Sequence, residues 1–239
     1  MNRPEWQIMH SDPDPKALLV QPADDSDLSG MDRLIAYVRG NCSVPFAFAV
    51  LPVNDWNKDL SPWEAPAVFG DRSFGSGAAE TLETIEKDLI PGVCKKLCLP
   101  ADIPVVLGGY SLAGFFSLWA SYRTDRFSAV CAASPSVWFP GWMEYAEQHA
   151  PKARYIYLSL GDKEEKTRNP VMSTVGDCIR KQYELLGGPG SPDVTLEWNQ
   201  GNHFKDADIR TAKGFVRCLN KLEDYFPNPY MSSKTLYAS

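Results

Sequence analysis

The sequence has no run approaching the roughly 20 apolar residues that a membrane helix requires, so no membrane partner is expected. Met1 to His10 carries neither the basic start nor the apolar core of a secretory signal, and a cytoplasmic location is the expectation. Positive charge is equally sparse. The formal net charge is −6 and no basic cluster exceeds a pair such as Lys95-Lys96, which argues against nucleic acid as a partner. Neither a Gly-x-Gly-x-x-Gly run nor a Gly-Lys-Ser/Thr element follows any candidate strand, so a nucleotide cofactor is not expected. The six cysteines are scattered. Cys94 and Cys98 share a helix face, but no second Cys/His pair with zinc spacing accompanies them, and no metal is expected. Cys42, Cys131, Cys178 and Cys218 read, with those two, as reduced packing residues. Histidine is scarcest of all: any chemistry that needs an imidazole must choose among His10, His149 and His203.

What is present is an ordinary globular composition, 44% apolar and 23% charged in 239 residues, which fits one domain over 1–239. Short apolar runs rich in β-formers recur at Ala17–Val20, Phe46–Val53, Ile103–Leu107, Phe127–Ala132, Tyr155–Leu160 and Val194–Trp198. Several are continuously hydrophobic, as strands buried on both faces must be. Between them lie amphipathic stretches at Met31–Val38, Ala78–Leu97, Ala113–Tyr122, Val175–Leu186 and Ile209–Leu222. Strand and helix alternating in this way predict a three-layer α/β/α sandwich around a mostly parallel, twisted sheet with right-handed crossovers. Gly187–Pro192 reads as a loop between helix and strand, and two longer irregular segments, Asn54–Gly77 and Ser134–Pro140, are the places where function concentrates.

The chemistry is concentrated in Val105–Ala120, where an apolar strand runs into Gly109-Tyr110-Ser111-Leu112-Ala113-Gly114 and continues as a helix. A serine on so sharp a strand-to-helix turn needs small residues two places to either side, and Gly109 and Ala113 supply them. The turn exposes the hydroxyl of Ser111 and aims the Leu112 amide and the positive helix end at an incoming carbonyl. Serine at its free pKa is a poor nucleophile and needs a base. His10 lies in a polar segment ahead of the sheet and His149 near the end of a surface helix. His203 alone follows a strand, so it reaches the sheet edge that carries Ser111. A carboxylate should orient the imidazole, and Asp162, Glu164 and Glu165 all follow the strand Tyr155–Leu160, with Glu164 preferred over Asp162 and Glu165 third.

These stretches, GGYSLAG, Ala133-Ser134-Pro135-Ser136-Val137-Trp138, GDKEE and GNHF, resemble the compact esterase branch of the α/β hydrolases. That branch includes esterase D-like, feruloyl-type and trilactone siderophore esterases, and the likeness runs from about Leu18 to Tyr225. It implies a compact α/β-hydrolase fold without a large lid, hydrolysis of a small-molecule carboxylic ester through an acyl-enzyme, Ser111 as nucleophile and His203 as base, and no cofactor. In such enzymes the acid often stands three residues after a glycine closing the strand, so Gly161 favours Glu164. The second oxyanion donor is implied to be a backbone amide after an earlier strand, near Asn54, with Trp56 as the other choice. Trp56, Tyr110 and Trp138 are expected on the pocket wall, with Trp63 and Trp142 in or just after the same loops, although tryptophans equally often plug a loop against the core.

The same three groups can run acyl transfer or peptide cleavage, and a catalytically silent member of the fold would keep only the binding loops.

Overall fold

The computed structural model describes residues 5–188 and 190–223. Met1 to Pro4, Pro189 of the Gly187–Pro192 loop and Tyr225 at the end of the resemblance lie outside them.

All the described strands join one seven-stranded sheet. In chain order they are β1 (Gln7–Ser11), β2 (Ala17–Ala23), β3 (Phe46–Pro52), β4 (Val105–Tyr110), β5 (Ala129–Ala133), β6 (Tyr155–Gly161) and β7 (Asp193–Asn199). Their spatial order is β1-β3-β2-β4-β5-β6-β7, and only β1 runs antiparallel to its neighbour. The inner strands β2, β4, β5 and β6 are buried along their whole length, which is why they read as unbroken apolar runs.

Successive residues of a strand face opposite sides, and the core divides accordingly. Leu18, Val20, Leu107, Val130 and Leu158 pack with Ile85, Leu89, Phe115, Phe116 and Ile179, whereas Leu19, Phe48, Val106, Cys131 and Tyr157 pack with Leu34, Val38, Phe215 and Leu219. The first side is covered by α4 (Ala78–Thr84), α5 (Ile90–Leu97), α6 (Leu112–Arg123), α7 (Trp142–Gln148) and α8 (Val175–Leu185), and the second by α2 (Met31–Asn41) and α9 (Ala207–Glu223). Two short helices, α1 (Asp25–Ser29) and α3 (Trp56–Asp59), follow β2 and β3 at the carboxyl edge of the sheet. The result is the three-layer α/β/α sandwich around a mostly parallel sheet that the alternation predicts.

Four differences have physical causes. β1 is too polar and too exposed to read as a strand, because an edge strand buries little and its pairing to β3 carries a register shift between Ile8 and His10. His10 therefore lies within the sheet rather than ahead of it, its ring tilted against that of Phe46 at 4.9 Å and its Nε2 beside Asp12. β2 continues through Pro22, which has no N–H to give, because its ladder with β4 runs only from Leu18 to Val20. The predicted helix Ala78–Leu97 is interrupted by a π-helical turn at Ile85–Leu89, where the Ile90 amide reaches back to Ile85, just ahead of Pro91.

Candidate active site

Ser111 stands between β4 and α6 at φ 56° and ψ −119°, a conformation that costs a non-glycine residue energy and needs the surroundings to enforce it. Here the enforcement is crowding: a Cβ at Gly109 would lie 2.6 Å from the Cβ of Ala113. The amide of Ser111 donates to Ala133 on β5, and its carbonyl accepts from Phe115 and Ser136. The hydroxyl is thereby fixed at the carboxyl edge of the sheet. The Leu112 amide is the first of α6 and has no acceptor within the helix.

His203 arrives on the loop after β7, and its Nε2 lies 3.0 Å from Ser111 Oγ. Its Nδ1 lies 2.7 Å from Glu164 Oε2. An ionised carboxylate only accepts, so Nδ1 must carry the proton, and Nε2 is left as the acceptor for the serine hydroxyl. Glu164 is 7% exposed. Its other oxygen, Oε1, takes donors from the Gly161 amide at 2.7 Å, the Ser134 hydroxyl at 2.8 Å and Arg210 Nη1 at 2.7 Å. Burial alone would raise the carboxyl, but the hydrogen bond and charge of His203, together with the Ser134 and Gly161 donors, outweigh it and hold the group below the usual carboxylate range.

The other two carboxylates of the segment point elsewhere. Asp162 Oδ1 accepts from the Gly201 amide at 2.8 Å, tying the acid loop to the histidine loop, and Glu165 pairs with Arg180 on α8 at 3.2 Å. His149 is exposed and stacked on Tyr145.

Several expected pocket residues sit differently. Tyr110 is not an open wall: it is buried, its ring packs at 5.1 Å from that of His203, its hydroxyl donates to the His203 carbonyl at 2.8 Å, and burial pushes its own pKa up to about 12. Trp142 is fully buried in α7, where its indole N–H donates to Gln182 at 2.7 Å. Trp63 donates to the Pro140 carbonyl and packs on Phe139 and Tyr145. Trp138 is part-buried and ringed by Phe69 and Phe74 at 6.3 and 6.2 Å, and Trp56 opens α3 against the core. Asn54 is exposed after β3, and β3 is separated from β4 by β2. That spacing puts Asn54 about 10 Å away across the sheet. The turn after β2, beginning at Asp24, is the nearer one, because the pairing Val20↔Leu107 brings Ala23 level with Tyr110.

Two residues near the site carried no signal as site residues in the sequence. Arg210, 2% exposed, lies in the first turn of α9 and reads there as an ordinary surface cation. Ser136, whose Oγ is 3.5 Å from that of Ser111, is recognisable only as part of the Ser134-Pro135-Ser136 run.

A family model described as "Putative esterase" matches residues 29–182. The chain belongs to this esterase family. The matched stretch contains Ser111 and Glu164, while His203 lies beyond it and is delivered by the fold. As a member of the family the protein is a carboxylic ester hydrolase. Among solved structures, an IroE-like serine hydrolase from Shewanella oneidensis superposes with a TM-score of 0.74 at 17% identity, over 94% of this chain and 77% of that one. The siderophore hydrolase EstB from Aspergillus nidulans gives 0.69 at 18% identity, over 92% and 86%. The enterobactin esterase FES from Shigella flexneri gives 0.59 at 15% identity, over 89% and 52%. At these identities the likeness is one of fold. No curated protein matches the sequence. Among the described residues no helix is long and apolar enough to cross a membrane, and no group of three or more His, Cys, Asp or Glu is arranged to hold a metal ion.

Proposed function

We propose that this esterase works through an acyl-enzyme with Ser111 as nucleophile, His203 as general base and acid, and Glu164 as the group that orients and balances the imidazole. The observation that carries the reading is the unbroken chain from Ser111 Oγ through His203, at 3.0 Å, to Glu164, at 2.7 Å. As Oγ attacks the acyl carbon, Nε2 takes its proton, and the imidazolium that forms is stabilised by the buried carboxylate. The developing oxyanion is met by the Leu112 amide at the N-terminus of α6, with a second donor from the turn after β2 rather than from Asn54. Collapse of the tetrahedral species expels the alcohol, which receives the proton from Nε2, and a water molecule then repeats the sequence on the acyl-Ser111 ester.

The substrate is a small-molecule ester with an aromatic part. Phe69, 52% exposed, together with Phe74 and Trp138 joins the two long loops, and Trp138 stands two residues from Ser136 beside the nucleophile. Such rings suit a flat acyl or phenolic group. The siderophore and enterobactin hydrolases among the structural neighbours make siderophore esters the first class to try beside aryl esters.

Purified protein should release p-nitrophenol from a short-chain ester and should be labelled by a fluorophosphonate at Ser111, and Ser111→Ala should abolish both. A folded protein that does neither would end the reading. A panel of aryl, alkyl and hydroxy-acid lactone esters then ranks the substrates by kcat/KM.

A further inference from the structure

Glu164 Oε1 is saturated by three donors, so that only Oε2 is left to face His203. One of those donors does more than neutralise charge. Arg210 Nη1 donates to Glu164 Oε1 and to the hydroxyl oxygen of Tyr110, both at 2.7 Å, with Ser134 Oγ at 3.3 Å, and Nη2 donates to the Asn202 carbonyl at 3.0 Å. Tyr110 in turn donates to the carbonyl of His203. A single planar fork therefore holds the acid on the turn after β6, the tyrosine closing β4 and the Asn202 carbonyl, and through that tyrosine the carbonyl of His203. The close approach of that fork accounts for Gly161: a Cβ there would lie 2.6 Å from Arg210 Nη2 and 2.4 Å from the Gly201 carbonyl.

We propose that Arg210 is a positioning residue of the triad, fixing the acid and the backbone of the histidine loop relative to each other so that Glu164 Oε2 meets His203 Nδ1. It touches neither Ser111 nor, on this geometry, the substrate. The inference rests on the triad reading above. A guanidinium suits the task because its donors diverge in one rigid plane, whereas an ammonium is a point charge that can satisfy Glu164 but not Tyr110 and Asn202 together. The charged and titratable groups around it are Glu164, Tyr110, the His203 ring and Asp206, the last in the turn before α9 and subject to the charge of Arg210.

The test compares Arg210→Lys, Arg210→Met and Glu164→Gln with the double variant Arg210→Met/Glu164→Gln, each checked for folding by circular dichroism. Arg210→Lys should lower kcat about tenfold to a hundredfold, the scale of a small misplacement of a reacting group, with KM changed less than about threefold. In the Glu164→Gln background, Arg210→Met should cost little more, because a group that acts through Glu164 has nothing left to position. Proton NMR supplies a readout that does not need turnover. The far-downfield resonance of the His203 Nδ1 proton, assigned by its loss in Glu164→Gln, should broaden or vanish in folded Arg210→Lys. An unchanged kcat and an unchanged resonance in Arg210→Lys would overturn the proposal, as would full additivity of the two substitutions. If Arg210→Met alone fails to fold, Arg210→Lys and the charge-neutral double variant still decide. A wild-type protein that is neither active nor labelled would sink the triad reading instead, while the resonance would still report whether Arg210 holds the acid against the imidazole.

Discussion

A carboxylate as buried as Glu164 would be a liability if it were left unpaired, and four hydrogen-bond partners surround it. Three of them occupy Oε1, and the fourth, His203, receives Oε2. Asp162 and Glu165, its competitors in the sequence, bond a backbone amide and an exposed arginine. The consequence for kinetics is a clear ranking. Glu164→Gln should reduce kcat about a hundredfold or more, because an amide cannot stabilise the imidazolium and favours the wrong tautomer. Glu165→Gln should leave kcat within about twofold, since exposed pairs such as that with Arg180 contribute little. Asp162→Asn, which loosens the tie to Gly201, should fall between. Steady-state rates on a p-nitrophenyl ester check all three, and a larger loss in Asp162→Asn than in Glu164→Gln would reverse the ranking of the acids. At this scale the sequence was informative where chemistry and chain position coincide. Three histidines and one strand-to-helix serine leave little choice. It was silent on Arg210, because a cation three residues before the next basic position of an amphipathic helix reads as solvated, and only its bonds to Glu164, Tyr110 and Asn202 reveal that it points inward.

At the scale of the element, short pieces near the sheet edge were the hardest to read and the most consequential. α1 occupies only Asp25–Ser29, yet it is closed by a reciprocal cap in which Asp24 accepts from Ser26 and Asp27 while the Asp27 carboxylate faces the Asp24 amide. Burial, reinforced by the charge of Asp24, outweighs that backbone hydrogen bond and pushes the Asp27 carboxyl up to about 7. A raised carboxyl binds its proton more tightly in the folded chain than in the unfolded one. Its contribution to stability is therefore full at acid pH and is lost as the pH climbs from the ordinary carboxylate value through about 7. Asp27→Asn keeps an acceptor for the cap and removes this loss, so it should stabilise the protein above pH 7.5 by about 2 kcal/mol, with partial exposure allowed for, and by much less at pH 4 to 5. Urea unfolding at the two pH values measures the difference, and equal effects at both would contradict it. Glu164 acts in the opposite sense: its stabilisation is present above the ordinary carboxylate range and is lost as the pH falls through its lowered value. The long helices and inner strands were legible because burial imposes a period on them. β1, α1 and α3 were not, because four or five partly exposed residues carry too little pattern. The strand order was equally hidden, and it moved the turn nearest Ser111 from the end of β3 to the end of β2.

At the scale of the whole molecule, the two cores share one sheet, and the site hangs from both of them. Ser111 is tied to the side packed by α6, whereas His203 stands on the loop leading into α9 and Arg210 in its first turn, and α9 packs on the other. The hinge of that second side is Phe215, fully buried, edge-on to Phe48 at 5.4 Å and close enough to Gly108 that any side chain there would strike its ring at 2.7 Å. Emptying this position removes apolar contact where β3, β4 and α9 meet, and Phe215→Ala should cost about 3–5 kcal/mol. Because the sheet is common to both layers, the loss should lower the stability of the entire unit rather than free α9 alone. Far-UV circular dichroism and fluorophosphonate labelling of Ser111 should then fail at the same urea concentration, in the variant as in the parent protein. If labelling were lost at lower urea while the helical signal persisted, α9 would be an independent cooperative unit, and the histidine would be held to the serine only by the ties at Asp162, Tyr110 and Arg210 rather than by the packing of the sheet.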